Sequence, residues 1–248
     1  MNDKHELVDK LDKLIFYYIF MNPRISKREL ARRISIDIST LLYRINKLKH
    51  YIEGYYVYVN PTILGYKRAI LIHNKENIKN ESIRFTCIEG FSISEIYGNE
   101  VEKEIEMIDP IFYEKIPEEK YSLSFLDYEI IKLLNDNPLI DESEIAYKLN
   151  RKIRTIKRHL NFLLSHGIVR VIPKIDITKL DFLLYSFLSS IKPSKTIFNY
   201  PSLSIGFANN LEDIVKLTRF GKISIKSKYE VNNWLSQDQN FQAKLYLK

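Results

Sequence analysis

The sequence predicts an α+β protein in which one module, three helices followed by a strand, occurs twice, each time leading into a short α/β segment. Three observations predict it. Apolar residues recur at helical spacing in two runs, residues 6 to 48 and 126 to 163, and each run gives way to β-prone residues. The runs align without a gap at an offset of 115 positions, through turn and cap residues as well as apolar ones. Positive charge is concentrated inside the runs and negative charge between them.

The first helix is expected over residues 6–21, ELVDKLDKLIFYYIFM, where Leu7, Leu11, Leu14, Ile15, Tyr18 and Ile19 share a face. It stops at Asn22-Pro23, because proline lacks an amide and pushes its predecessor out of helical geometry. Ser26, with Glu29 three residues on, predicts a reciprocal capping box that opens a second helix. A third helix follows in STLLYRINKLKH, with Ile38, Leu41, Ile45 and Leu48 as its buried set, and YIEGYYVYVNP reads as a strand after Gly54. Three helices with a tight turn before the third, then a strand, describe a winged helix-turn-helix, whose third helix is the reading element.

The second copy runs from LDYEIIKLL to IRTIKRHLNFLLS. Leu11-Asp12 meets Leu126-Asp127, Pro23 meets Pro138, Ile25 meets Ile140, and Glu29, Ala31 and Thr40 meet Glu144, Ala146 and Thr155. In its third helix Ile153, Ile156, Leu160 and Leu163 form the apolar face. VRVIPKID is the strand after it, with Asp176 in the place of Asn60. Between and after the modules, KRAILIHN, SIRFTCIEG and IFYEKI read as strands and IYGNEVEKEIEMI as a helix; at the C-terminal end FLLYSFLSSI, SLSIGFA and GKISIKSKY read as strands and LEDIVKLTRF as a helix. The expected division is 1–66 and 121–182 for the two winged modules, with reduced ferredoxin-like α/β segments at 67–120 and 183–248.

Leu11-Asp12, Ile25-Ser26, Glu29-Leu30-Ala31, Arg44, Leu48, Ile52, Gly54-Tyr55, Asn60-Pro61 and Leu64-Gly65 make this first module resemble the DNA-binding domain of the leucine-responsive regulator (Lrp/AsnC) family, in an archaeal-type tandem form. The resemblance implies a transcriptional regulator of double-stranded DNA, and a small-molecule effector bound by an α/β domain that is shortened here. Family dimers read palindromes with two equal helices. This chain has two unlike ones, which predicts an asymmetric site or unequal half-sites, while a homodimer of the whole chain would restore symmetry at a higher level.

Charge agrees with that expectation. Seven Lys/Arg between Lys27 and Lys49 face two acids, eight between Lys148 and Lys174 face none, and Glu89 to Glu119 holds ten acids against two lysines. The net charge of +7 is therefore unevenly placed, and the basic runs suit phosphate. The candidate DNA-binding residues are Ser39, Thr40, Tyr43, Arg44 and Lys47 on the first reader and Arg154, Thr155, Lys157, Arg158 and Asn161 on the second. Arg44, Arg158 and Asn161 are the candidates for base edges, since Arg pairs with guanine and Asn with adenine. Arg32, Arg33, Arg151 and Lys152 are assigned to phosphate.

An apolar fraction of 45% over 248 residues supports real cores. The single cysteine, Cys87, leaves no intrachain disulfide framework or thiolate zinc cluster and fits the cytoplasm. No apolar run approaches the roughly 18 residues that cross a bilayer. His5, His50, His73, His159 and His166 lack metal-pair spacing, and no catalytic motif, cofactor or metal site is expected. Two alternatives share the fold. One is a winged-helix scaffold of the transcription machinery; the other is a siroheme-decarboxylase-like enzyme, which would need a haem-sized pocket with basic residues, to which His73 or Tyr97 would contribute.

Overall fold

The computed structural model describes residues 8–179, 183–189, 191, 193, 196–208 and 210–246. His5, the helical start expected at residues 6 and 7, and Phe182 and Ser190 of the expected C-terminal strand lie outside them.

Helix α1 spans Lys10–Met21. Asp9 accepts the amides of Leu11 and Asp12 at 2.8 and 2.9 Å, and Asp12 accepts the Asp9 amide at 3.3 Å, so the capping box closes here. Ile15, Phe16, Ile19 and Phe20 are buried along one side. Helix α2 spans Lys27–Arg33 and opens with only half of the expected box. Ser26 accepts the Glu29 amide at 3.1 Å, but the Glu29 carboxylate turns to Arg32 and Arg33 at 2.5 and 2.8 Å. Two charge-assisted bonds outcompete one to a neutral amide.

Helix α3 spans Ile38–Leu48 and strand β1 spans Ile52–Val59. Leu41 and Leu48 are fully buried, Ile45 is half-buried, and Ile38 is 43% exposed. Ile38 therefore leaves the expected buried set: it is the first helical residue and projects past the packed face.

A segment of five elements follows: β2 (Lys67–His73), β3 (Glu81–Cys87), β4 (Ser92–Gly98), α4 (Val101–Ile108) and β5 (Phe112–Ile116). Strand β4 was not expected as a separate strand, because its buried face carries Ser94 and Glu95 instead of alternating apolar residues. Glu95 is tolerated there because Tyr58 and Ser82 donate to it at 2.7 and 2.8 Å.

The second helical triplet is α5 (Phe125–Asp136), α6 (Glu142–Lys148) and α7 (Ile153–Ser165), followed by β6 (Val169–Ile175). Its local bonds repeat those of the first at the 115-residue offset. Asn22 N–H donates to Tyr18 O at 2.9 Å, as Asn137 does to Leu133 O at 2.9 Å. Ile36 donates to Ala31 O at 3.1 Å and Arg151 to Ala146 O at 2.9 Å. The turn before each third helix passes through left-handed geometry at Ser35 (φ 57°) and Asn150 (φ 50°). Ile156, Leu160 and Leu163 are buried, each contributing about 2 kcal/mol of apolar transfer, whereas Ile153, like Ile38, is exposed.

Strands β7 (Leu183–Leu188), β8 (Thr196–Asn199) and β9 (Leu203–Ala208), helix α8 (Leu211–Thr218) and strand β10 (Lys222–Val231) again run strand, strand, strand, helix, strand. A short helix, α9 (Gln239–Tyr246), ends the described chain; β8 and α9 were too short to stand out in the sequence.

Two compact units gather these pieces discontinuously. The first comprises residues 1–54, 86–90 and 173–228, the second 55–85, 91–172 and 229–248. In the first, antiparallel strands run in the order β10-β7-β9-β8, and Ile214 of α8 packs on Tyr185, Phe187 and Ala208. Gly221 makes the close approach there possible, since a Cβ would lie 2.6 Å from Leu188 O. In the second, the order is β5-β2-β4-β3, with Val101, Ile105 and Ile108 of α4 on Ala69, Leu71 and Ile96. Its largest core joins α5, α6 and α7 to Val57, Val59, Trp234 and Phe241. Strands β1 and β6 pair with each other as a two-stranded sheet, so neither wing folds back as a hairpin of its own.

Candidate nucleic-acid interface

Each third helix is anchored by a buried carboxylate on the first helix of its triplet. Asp12 is fully buried and receives Arg44 at 2.8 Å and Lys47 at 3.2 Å. Arg44 also reaches Asp9 at 2.6 Å. These carboxylates hold the guanidinium charged and push its already high pKa upward, while Arg44 and the amides of Leu11 and Asp12 pull the Asp9 carboxyl down against the burial that would raise it. At the matching positions, Asp127 is buried and meets His159 Nδ1 at 2.7 Å. The sequence reading named neither carboxylate as a working residue. The signal was present in the repeated Leu-Asp pair, a charged residue kept at the same place in two apolar helices.

The outer surfaces of α3 and α7 follow from those anchors. On α3, Ser39, Thr40 and Tyr43 are exposed, and Arg44 and Lys47 turn toward Asp12 with side chains 23% and 18% exposed. Arg32 and Arg33 are exposed on α2 and share Glu29. On α7, Arg154, Lys157, Arg158 and Asn161 are exposed, Thr155 is half-buried, and Arg151 and Lys152 stand exposed just before the helix. Among the described residues, Arg151, Lys152, Arg154 and Lys157 make no ion pair; Arg158 lies 3.5 Å from the His159 ring. The structure thus groups the second set on one outward face and divides the first between an outward set and an anchored pair.

Neither third helix has a side-chain cap: Asp37 and Lys152 occupy the cap positions without bonding the first amides. Those amides, at the positive end of the helix dipole, are available to a phosphate oxygen. At α7 the preceding Arg151 and Lys152 add charge of the same sign, whereas at α3 the Asp37 carboxylate opposes it. The other expected positions contribute nothing here. His73 is buried against Ser94 Oγ at 2.8 Å, with burial and then Arg84 pushing its pKa down to about 4. His50 and His166 are exposed, and Cys87 is buried. Among the described residues no helix is long and apolar enough to cross a membrane.

The fold and this surface define a winged helix-turn-helix domain within a mixed α/β chain. Residues 8–49 match the family described as winged helix-turn-helix DNA-binding. The chain is similar, at 33% identity over 67 residues, to an uncharacterised HTH-type transcriptional regulator of Pyrococcus furiosus, a match that covers 26% of this chain and 45% of the relative. The chain thus spans less than half the length of that curated relative. Among solved structures it is similar to the siroheme decarboxylase NirDL, at 12% identity and a TM-score of 0.43 over 95% of this chain and 97% of that one. It is also similar to a transcriptional regulatory protein of the AsnC family from Pyrococcus furiosus, at 18% identity and a TM-score of 0.29 over 46% of this chain and 91% of that one.

Proposed function

We propose that the protein is a sequence-specific transcriptional regulator of double-stranded DNA that reads its site with two unlike helices, α3 and α7, each set on one of two tandem winged-helix modules. The observation that carries this reading is the outward cluster Arg151, Lys152, Arg154, Lys157 and Arg158 on a helix held in place by the Asp127–His159 contact. Cations with no internal partner, beside an uncapped helix start, match what a DNA backbone requires. The offset repetition of caps, turns and anchors supports two copies of one module.

On α7, Arg158 and Asn161 are assigned to base edges and the remaining cations and Thr155 to the backbone. On α3, Ser39, Thr40 and Tyr43 face outward, with Arg32 and Arg33 set for phosphate once they are shared away from Glu29. Arg44 reaches a guanine only by exchanging its carboxylates for the base, and Lys47 likewise.

Selection of bound genomic fragments, followed by footprinting, tests the reading. The expected result is an asymmetric site or two unequal half-sites, with binding abolished by joint replacement of Arg154, Lys157 and Arg158 with Ala. A perfect palindrome contacted through one helix alone, or an unaltered affinity in the triple variant, overturns it. Retention of a protein partner by a triple variant that binds no DNA in either form would favour the scaffold alternative.

A further inference from the structure

The second unit contains a cavity of about 750 Å³ that the DNA-binding reading leaves unused. Three of its walls are aromatic: Tyr66 before β2, Tyr97 at the end of β4, and Trp234 in the turn after β10. Their rings meet mutually, with centroids 5.1 Å apart for Tyr97 and Trp234, 5.6 Å for Tyr66 and Tyr97, and 6.2 Å for Tyr66 and Trp234. Because the rings are tilted against one another by 42° to 72°, π faces as well as edges turn toward the cavity. Trp234 is fixed in this wall by donating its indole N–H to Val59 O at 3.1 Å.

The charge of the lining has one sign. Glu81 and Asp238 are its charged residues, and no Lys, Arg or His lines it. Glu81 is matched from outside the lining by Arg84 at 2.8 Å. Asp238 accepts the Tyr66 hydroxyl at 2.9 Å and the Phe241 amide at 2.9 Å, but makes no ion pair among the described residues. A carboxylate held by neutral donors keeps its charge for something else. The Tyr97 hydroxyl is pushed up to about 12, first by burial and then by the charge of Asp238, which is therefore felt across the cavity. The rest of the polar lining is neutral amide, including Asn99 and Asn232, able to accept N–H donors.

Aromatic faces, an uncompensated carboxylate and amide oxygens together attract a positive charge on an organic body and repel carboxylates and phosphates. We propose that this cavity binds an organic ammonium ion, its charge seated against Tyr66, Tyr97 and Trp234 and neutralised by Asp238. The site stands independently of DNA binding.

Trp234 is the single tryptophan of the chain, so its emission reports on the cavity in the full-length protein. The test is a titration with n-butylammonium chloride at constant ionic strength, alongside 1-butanol and sodium butyrate as uncharged and anionic counterparts. A saturable change with butylammonium, at least tenfold tighter than with either counterpart, is expected. Asp238→Asn retains an oxygen acceptor for Tyr66 and Phe241 and is expected to weaken butylammonium at least tenfold. Tyr97→Leu should do the same while leaving the reporter in place, and circular dichroism establishes which variants are folded. No saturable response, an equal response to 1-butanol, or unchanged affinity in a folded variant overturns the assignment.

Discussion

The two helical triplets share a skeleton and differ in how they spend their charge. Both place a carboxylate in the first turn of the first helix, turn before the third helix through a left-handed residue, and expose the first residue of the third helix. In the first triplet Asp9 and Asp12 draw in both Arg44 and Lys47, so two of the cations on α3 serve the interior. In the second, Asp127 takes only His159, and the cations of α7 remain outside. The lesson is that repeated caps and turns preserve a backbone while a few exchanged side chains reassign its surface. Of the two, α7 is the stronger candidate for gripping DNA.

The largest expected effect is at the anchors. Asp12→Ala strands Arg44 and Lys47 beside a buried site and should cost about 4 kcal/mol, the range for breaking a buried pair. Asp127→Ala loses a cap and one hydrogen bond to His159 and should cost about 2 kcal/mol. Hydrogen exchange in α1 and α5 reads the two separately, and equal losses would break the comparison. Next comes the reading surface. Joint replacement of Arg154, Lys157 and Arg158 should weaken DNA binding by about 3 kcal/mol, on the order of 100-fold, and flatten the salt dependence by about 2.7 in log–log slope. The corresponding Thr40→Ala and Tyr43→Ala pair on α3 should leave that slope unchanged, since neither carries charge.

Exchanging the anchors is subtler. Arg44→His gives up the second carboxylate contact and should destabilise by about 1 kcal/mol, whereas His159→Arg should stay within about 0.5 kcal/mol of the parent. Urea denaturation checks both, and a larger penalty for His159→Arg would show that the second pocket is shaped for an imidazole. The smallest effect is at the turns. Ser35→Gly should stabilise by about 0.5 kcal/mol by relieving the left-handed strain, while Asn150→Gly should change little because Asn tolerates that geometry.

Much of the fold was legible residue by residue. The turns at Pro23 and Pro138, the cap at Ser26, the third helices and most strands were readable because each rests on bonds closing within four residues or on a period of 3.6 or 2. The cluster on α7 was equally legible, since Arg154, Lys157, Arg158 and Asn161 sit opposite an apolar stripe. The half-formed box at Glu29 was not, because Ser26 and Glu29 signal a box regardless of which guanidiniums lie a turn away. Strand β4 was obscured by Ser94 and Glu95, whose burial depends on Tyr58 and Ser82 in other elements.

The sequence by itself determined the order of helices and strands, their caps, the 115-residue repetition and the placement of charge along the chain. Tertiary structure alone decided that Arg44 and Lys47 turn inward, that β1 pairs with β6, and that Tyr66, Tyr97, Trp234 and Asp238 enclose one cavity. The division is physical. Local backbone bonds and side-chain periodicity are written in neighbouring residues, whereas a buried charge chooses its partner across 32 or 35 positions of chain, and a cavity wall is assembled from segments up to 172 residues apart.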